Sequence, residues 1–569
     1  MMMLTSSRVL RRAATAGAST ASSSSSSSTT TSSASASTTA PALNKSAPIP
    51  QFGRKASIGD PNRERLVVLG SGWAGYPFLR AIDTSKYQTI MVSPRNHFLF
   101  TPLLANAAVG GSDISSICQP VRTLCADKSA RFYEGKAVGL DKENKSILCK
   151  ALDGRTYPLK YDKLIISCGF QANDFGIKNL QKHAFFMKET ADAARVHDHV
   201  LTCFEEASAL FDGDKDNESV DLDVIKKILS FVTVGAGPTG TEFCAELASF
   251  IKHDIERLYP YLADHWAVHL IEGGPQILSP FRNEKLQNYA ARHLTNVSKV
   301  QIHLNSPVEA VEENLIKLKT GVEIEFSTLV WCAGIKALPF VQKLDLVKNK
   351  NGTQLLTDGW LKVKGEKNIY AMGDCATIED NLLPQTAQIA SQQAEFLAKN
   401  LNKLASKPAH RIPALDEAAK GLPVFKHVDR GMLAYVGGTA ALYRAPNPFP
   451  NLTGMIGYFT WRSAYWSMQL SMRNRMLLAS DWFQRALFGR DVTRIGTHSN
   501  PTDVARTKSA GGYSGSGVVK NTKKTSDNSS SASAPSGSSS PASEAPTEKS
   551  AAGVVEETPP KRRQAPAVA

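Results

Sequence analysis

The chain contains no apolar run of roughly 18 residues or more, the length a helix needs to cross a hydrocarbon core. No spanning helix is therefore expected in its 569 residues. It also lacks any C-x-x-C. Its eight cysteines, Cys118, Cys125, Cys149, Cys168, Cys203, Cys244, Cys332 and Cys375, are scattered, which argues against an ordinary zinc site and gives no disulfide framework. The acidic run "DGDKDNESVDLD" from Asp212 to Asp223 has Asn217 where a calcium loop needs glycine, and Asp223 where it needs a bidentate Glu. It reads as a solvated connector, and no metal is expected.

Residues 1–59 have no acidic side chain, only six cations: Arg8, Arg11, Arg12, Lys45, Arg54 and Lys55. Rich in Ser, Thr and Ala, and opening on the basic amphipathic "MMMLTSSRVLRRAA", they have the composition of a mitochondrial transit peptide followed by a low-complexity linker. Residues 496–569 are dominated by Ser, Pro, Gly and Lys, too polar to bury a core, and are expected to be a disordered tail. These ends hold most of the net charge of +14. With no aromatic-studded basic stripe between them, nucleic acid is not an expected partner.

What the chain does have is a pair of similar stretches, "VVLGSGWAGYPF" (67–78) and "VTVGAGPTGTEF" (232–243). Each runs a hydrophobic strand into G-x-G-x-x-G: Gly70, Gly72 and Gly75, then Gly235, Gly237 and Gly240. The first glycine makes the tight turn, the second lets backbone approach a pyrophosphate, and the third lets helix pack on strand. The phosphate then meets free N–H groups at the positive end of the helix. Two dinucleotides are expected. Around the turns, strands at 65–69 and 88–92 flank a helix at 73–82. A strand at 163–169 and a helix at 188–210 come after, then a second βαβ unit with its helix at about 238–255 and its second strand at 267–273. Later come a strand at 328–334 and "KNIYAMGDCA" at 367–376. A second nucleotide domain is thus expected inside a first that resumes late in the chain.

That layout resembles the flavoproteins with two dinucleotide-binding domains, whose late flavin motif is similar to "NIYAMGDCA". The blocks "MVSPRNHFLFTPLLANAAVG" (91–110), "GAGPTGTEF" (235–243), "LPQTAQIASQQAEFLAKN" (383–400), "GMLAYVGG" and "YFTWRSAYWSMQLSMRNR" resemble the type II, or alternative, NADH:ubiquinone oxidoreductases of fungal and plant mitochondria, the fungal internal type in particular. The likeness spans roughly residues 60–495. It implies an α/β fold with two Rossmann-like domains, the NADH domain (186–325) inserted in the FAD domain (60–185 and 326–415). A C-terminal membrane-anchoring and dimerisation segment (416–495) would complete the folded part.

The resemblance assigns non-covalent FAD to the first turn and NADH to the second. It implies that Asp374 bonds the ribityl chain, that Thr101 and Ala387 border the FAD, and that Gly334 borders the NADH. The residues partly agree. Glu272 closes the second strand of the second unit, where an acid takes ribose hydroxyls and repels a 2′-phosphate, so NADH is preferred over NADPH. The first unit has Ser93 there, then Pro94 and Arg95; either the Ser93 hydroxyl or Arg95 would hold the adenosine end. Glu242, two places past Gly240, reads alone as dipole compensation in a first helical turn. The family likeness instead implies a place near the nicotinamide and flavin rings, orienting nicotinamide or managing protons.

Gln388 and Gln392, spaced i and i+4, share one helix face with the small Ala387 and Ala390 nearby. Spacing alone favours a solvated face; the resemblance assigns both amides to ubiquinone. The segment 453–490 mixes Trp461, Tyr465, Trp466, Leu470, Leu477, Leu478, Trp482, Phe483, Leu487 and Phe488 with Arg462, Arg473, Arg475, Arg485 and Arg490. Such a mixture suits helices lying in a headgroup plane. Met468, Met472 and Met476 add a soft stripe for lipid, a partner helix or quinone. A dimer interface is the other reading of this segment. Two other classes share the architecture, sulfide:quinone oxidoreductases and apoptosis-inducing-factor-like scaffolds. The second fingerprint with Glu272 favours transfer from NADH through FAD to ubiquinone, the absence of a C-x-x-x-x-C pair after the first turn argues against a disulfide reductase, and with no spanning path no proton pumping is expected. The expected place is the inner mitochondrial membrane, peripheral and on the matrix side.

Overall fold

The computed structural model describes residues 63–212, 221–405 and 423–494. The expected transit peptide (1–59), most of the acidic run and the tail (496–569) lie outside the described residues.

Arg65–Leu69 (β1) is buried along nearly its whole length, as a central parallel strand must be when both faces are covered. It pairs in parallel with Gln88–Ser93 (β2) on one side and Lys163–Ile166 (β3) on the other. Leu69 lies level with Val92 and with Ile166, so the three carboxyl ends form one edge. Beyond β2 the sheet widens through Arg131–Asp141 and an antiparallel pair to seven strands. The second sheet is parallel throughout. Ser230–Val234 (β4) sits between Ala267–Ile271 (β5) and Thr328–Trp331 (β6), with Val300–His303 and Phe185–Phe186 at the edges. Ile369–Ala371 (β7) then returns to the first sheet beside β3. This order inserts one sheet's segment within the other's.

Two boundaries move from their expected places. β6 hydrogen-bonds to β4, so 328–331 belongs to the second sheet rather than to the resumed first domain, and Phe185 joins that sheet as well. Length and hydrophobicity reveal a strand, but only pairing reveals its sheet.

The helices after the two turns differ. Gly75–Ala81 (α1) is short and has Pro77 in its first turn, where no helical N–H partner is lost. Pro238–Phe250 (α2) is buried from Gly240 onward. It is buried around most of its circumference because it is enclosed by the second sheet on one side and the hairpin Met432–Gly437/Ala440–Arg444 on another. The expected helix to 255 continues as a π turn over Ile251–Ile255.

Ala387–Leu404 (α3) starts at a Thr386 cap, whose hydroxyl accepts from the Ile389 N–H, and packs on α1. The C-terminal segment forms Gly454–Ser467 (α4) and Met472–Phe488 (α5). Among the described residues no helix is long and apolar enough to cross a membrane.

Candidate active site

Both glycine turns are built by the same exclusion. A Cβ on Gly70 would lie 2.4 Å from the Ser167 carbonyl oxygen, and one on Gly75 would lie 1.9 Å from that of Gly70. In the second turn a Cβ on Gly235 would meet the Ala333 nitrogen at 2.7 Å, and one on Gly240 the Gly235 oxygen at 2.0 Å. Gly70 and Gly235 have φ of 105° and 99°, the left-handed region that favours glycine. The middle glycines face open space. Nothing lies within 4 Å of a Cβ placed on Gly237, and near Gly72 there is only the Arg95 guanidinium, at 3.6 Å.

The residues at the first turn fit FAD. An open backbone cradle with a guanidinium beside it suits a pyrophosphate. Arg95 also pairs with Glu189 at 3.0 Å. Ser93 is a brace: its Oγ lies 2.9 Å from Ser71 Oγ and accepts from the Arg95 N–H at 3.1 Å. The Thr101 hydroxyl accepts from the Trp73 indole at 2.9 Å, and Ala387 opens α3.

Asp374 lies just after β7, its main chain held by Gln354 and Gln385, while Gln393 accepts the neighbouring Gly373 N–H at 2.7 Å. Its carboxylate accepts no hydrogen bond from the described residues, and burial pushes its pKa up to about 6 against the pull of Lys188. A hydroxyl-bearing chain would satisfy it. Lys188 stands in the same crevice, 3.5 Å over the Phe170 ring and bonded to the Phe170 carbonyl. Burial lowers its pKa to about 8, with Asp374 opposing. Sequence pattern did not single out Lys188 or Gln393. The buried phase of α3 (Ile389, Ala390, Gln393, Ala394, Leu397) is a periodic signal that sets Gln393 apart from Gln392.

At the second turn, Glu272 accepts from the Ala236 N–H and the Gly274 N–H, each at 2.8 Å. The carboxylate is held at the rim of the turn with lone pairs left for ribose hydroxyls. Gly334 ends the segment after β6 with φ of 66°.

Glu242 lies on α2 and is buried. Its carboxylate accepts the Tyr435 N–H at 3.1 Å. Burial pushes its pKa up to about 8; the Tyr435 amide opposes this and the like charge of Glu246 adds to it. The Trp461 indole lies close enough to favour the ionised form, although its N–H makes no hydrogen bond of ordinary geometry. One turn on, Glu246 is fully paired, with Arg490 at 2.7 Å and the Asn106 amide at 2.8 Å. The same helix thus holds one carboxylate compensated by a cation and one whose pKa burial raises.

Gln388 and Gln392 do share a face, and both amides hold the segment 427–431. Gln388 donates to the Gly431 carbonyl at 3.3 Å and accepts from the Arg430 N–H at 3.0 Å. Gln392 exchanges two 2.9 Å bonds with the Val428 main chain.

The C-terminal segment divides by face. Trp461, Tyr465 and Leu478 point inward and are buried, so they are not lipid contacts. Arg490 is a buried partner of Glu246 rather than a headgroup cation. The methionine stripe is broken, since Met468 caps α4 and Met472 begins α5. Exposed together in sequence are Met455, Ile456, Phe459, Met468, Met472, Met476, Phe483, Leu487 and Phe488. Cys168 and Cys332 belong to different sheets, and burial raises both thiols, so neither is a ready thiolate.

Residues 64–394 match the pyridine nucleotide-disulphide oxidoreductase family model, and 430–491 match the NDH2 C-terminal domain. The chain is 36% identical over 433 residues to a probable NADH dehydrogenase of Dictyostelium discoideum, covering 76% of this chain and 91% of that protein. It is 33% identical to an internal alternative NAD(P)H-ubiquinone oxidoreductase A1, mitochondrial, of Solanum tuberosum, covering 78% and 90%. The solved NDH2 of Plasmodium falciparum in complex with NADH superposes with a TM-score of 0.69 at 24% identity, covering 76% of this chain and 100% of that one, a likeness of fold. By these matches the chain belongs to the type II, or alternative, NADH-ubiquinone oxidoreductases.

Proposed function

We propose that this chain oxidises NADH and reduces ubiquinone through bound FAD, without pumping protons. The observation that carries the reading is the pair of sterically equivalent glycine turns, only the second of which has a carboxylate at the ribose position, Glu272. FAD supplies the two-electron chemistry, taking a hydride from NADH and passing electrons on. The protein supplies position and protons. Gly70, Gly72 and Gly75 with Arg95, and Asp374, hold FAD; Gly235, Gly237, Gly240 and Glu272 hold NADH and disfavour a 2′-phosphate. Glu242, protonated below about pH 8, holds a proton in the buried pocket where quinone reduction consumes one. Gln388 and Gln392 act on quinone by fixing 427–431 beside α3.

The exposed faces of α4 and α5 suit the surface of the inner mitochondrial membrane, with the exposed Arg473 near anionic headgroups. A homodimer on part of this face is compatible with that. The acid-free leader composition supports mitochondrial import, and we place the enzyme on the matrix side as the internal type. The decisive experiment is to extract and identify the cofactor of the purified chain and assay rotenone-resistant NADH:ubiquinone reduction. A colourless protein, or a yellow one inert to NADH, would sink the reading.

A further inference from the structure

Between the two glycine turns runs a short strap, Phe170–Ala172 paired antiparallel with Ile335–Ala337. It leaves the carboxyl end of β3 and ends on the carboxyl end of β6, so it borders both expected nucleotide crevices. Just beyond it lies Phe175. Its φ is 49°, a left-handed backbone that a bulky aromatic rarely adopts. The residue is 60% exposed. Neither backbone preference nor burial explains why a phenylalanine is held there.

Several contacts hold it. The Phe175 N–H donates to Asn173 Oδ1 at 3.0 Å, and the Asn173 carbonyl accepts the Trp331 indole N–H at 2.8 Å. Asp174 pairs with Lys336 at 2.9 Å and accepts from Gln181 at 2.8 Å. The Phe175 ring meets Trp331 edge-on at 6.4 Å and lies against Gly334, where a Cβ would come within 2.3 Å of it. The two residues before Gly334, Cys332 and Ala333, are those packed on Gly235 of the second turn. Phe175 is therefore stationed at the rim of that crevice.

Strand order decides which half of a dinucleotide passes there. Glu272 ends β5, on one side of β4, and draws the adenosine ribose to that side; β6 lies on the other side of β4, across the switch point. The nicotinamide half must run over the end of β6. We propose that Phe175 is a further NADH-binding residue that packs on the nicotinamide ring, a role resting on the NADH reading above. Contact with the ligand buries the exposed ring and compensates the strained backbone.

The test is Phe175→Ala and Phe175→Tyr in the FAD-loaded protein, titrated with NAD⁺ and with ADP-ribose, which lacks nicotinamide, by isothermal calorimetry. An aromatic contact of this kind is worth up to about tenfold in affinity. Phe175→Ala should weaken NAD⁺ by that factor and leave ADP-ribose unchanged, Phe175→Tyr should restore NAD⁺, and flavin content should match wild type. Unchanged or tighter NAD⁺ binding in Phe175→Ala overturns the proposal, as does equal loss for both ligands. If wild-type flavin is not bleached by NADH, it is the functional reading that has failed, not this one.

Discussion

The two glycine turns are nearly the same object twice. Gly70 and Gly235 adopt φ values of 105° and 99°, each donates its N–H at 2.8 Å to a carbonyl at the carboxyl end of the neighbouring strand, and the third glycine of each is closed by the first. The residues downstream of them differ. Two places past the third glycine the first unit has Pro77 and the second Glu242; at the end of the second strand the first has Ser93 and the second Glu272. Backbone sterics make the same turn twice, and on our proposal a few side chains decide which nucleotide each takes and whether the helix behind it also serves chemistry.

The sharpest way to break that symmetry is a methyl group. Gly75→Ala and Gly240→Ala each force a carbonyl to move, an overpacking that costs about 1–3 kcal/mol, or up to about a hundredfold in binding. The two should fail differently. Gly75→Ala is expected to purify with its flavin absorbance largely lost. Gly240→Ala is expected to stay yellow while NADH no longer reduces it at ordinary concentrations. Matching losses of flavin in both variants would show the turns to be interchangeable.

Next in size is Glu242, which has no counterpart on the first helix. Glu242→Gln should slow flavin reoxidation by ubiquinone about a hundredfold, the usual worth of a positioned acid, and spare reduction by NADH. Stopped-flow traces of each half-reaction separate the two. The carboxyl holds its proton below about pH 8, so wild-type quinone reduction should fall as pH rises past that value and the variant should be flat. The folded state also binds a proton that the unfolded chain loses above pH 4.5. Stability from this group is thus fully present below that pH and is lost as pH rises through about 8.

A smaller effect is expected at Glu272. Glu272→Gln should weaken NADH roughly tenfold, by loss of a charged hydrogen-bond acceptor, and weaken NADPH less. The ratio of their kcat/KM values is the readout; an unchanged ratio would take Glu272 out of nucleotide selection. Smallest is Gln392→Ala, which frees Val428 from its two bonds. It should raise KM for ubiquinone by a few-fold with NADH-dependent flavin reduction intact, and equal losses in both half-reactions would contradict the assignment.

Much of the fold was legible because its signals are local. β1, β2, β4 and the late β7 are short apolar runs, and parallel strands covered on both faces must be written that way. The glycine spacing then names the turns. The membership of β6 was not legible, since a strand carries no mark of its neighbour. Nor was the inward face of α4, where Trp461 and Tyr465 lie near Glu242 while Met455, Ile456 and Phe459 face outward. An all-round apolar helix gives periodicity little to grip. Arg490 looked like a surface cation from its setting among aromatics and turned out to be sealed against Glu246.

By itself the sequence determined two glycine turns, the carboxylate that distinguishes them and the late motif around Asp374. Each depends on residues within a few places of one another, and covalent geometry enforces their arrangement. Tertiary structure alone decided that burial raises the Glu242 pKa while Glu246 is sealed against a guanidinium, that Gln388 and Gln392 grip a distant loop, and that Phe175 stands at the crevice rim. Those outcomes depend on dielectric and on partners supplied by segments dozens to hundreds of residues away, which no local pattern encodes.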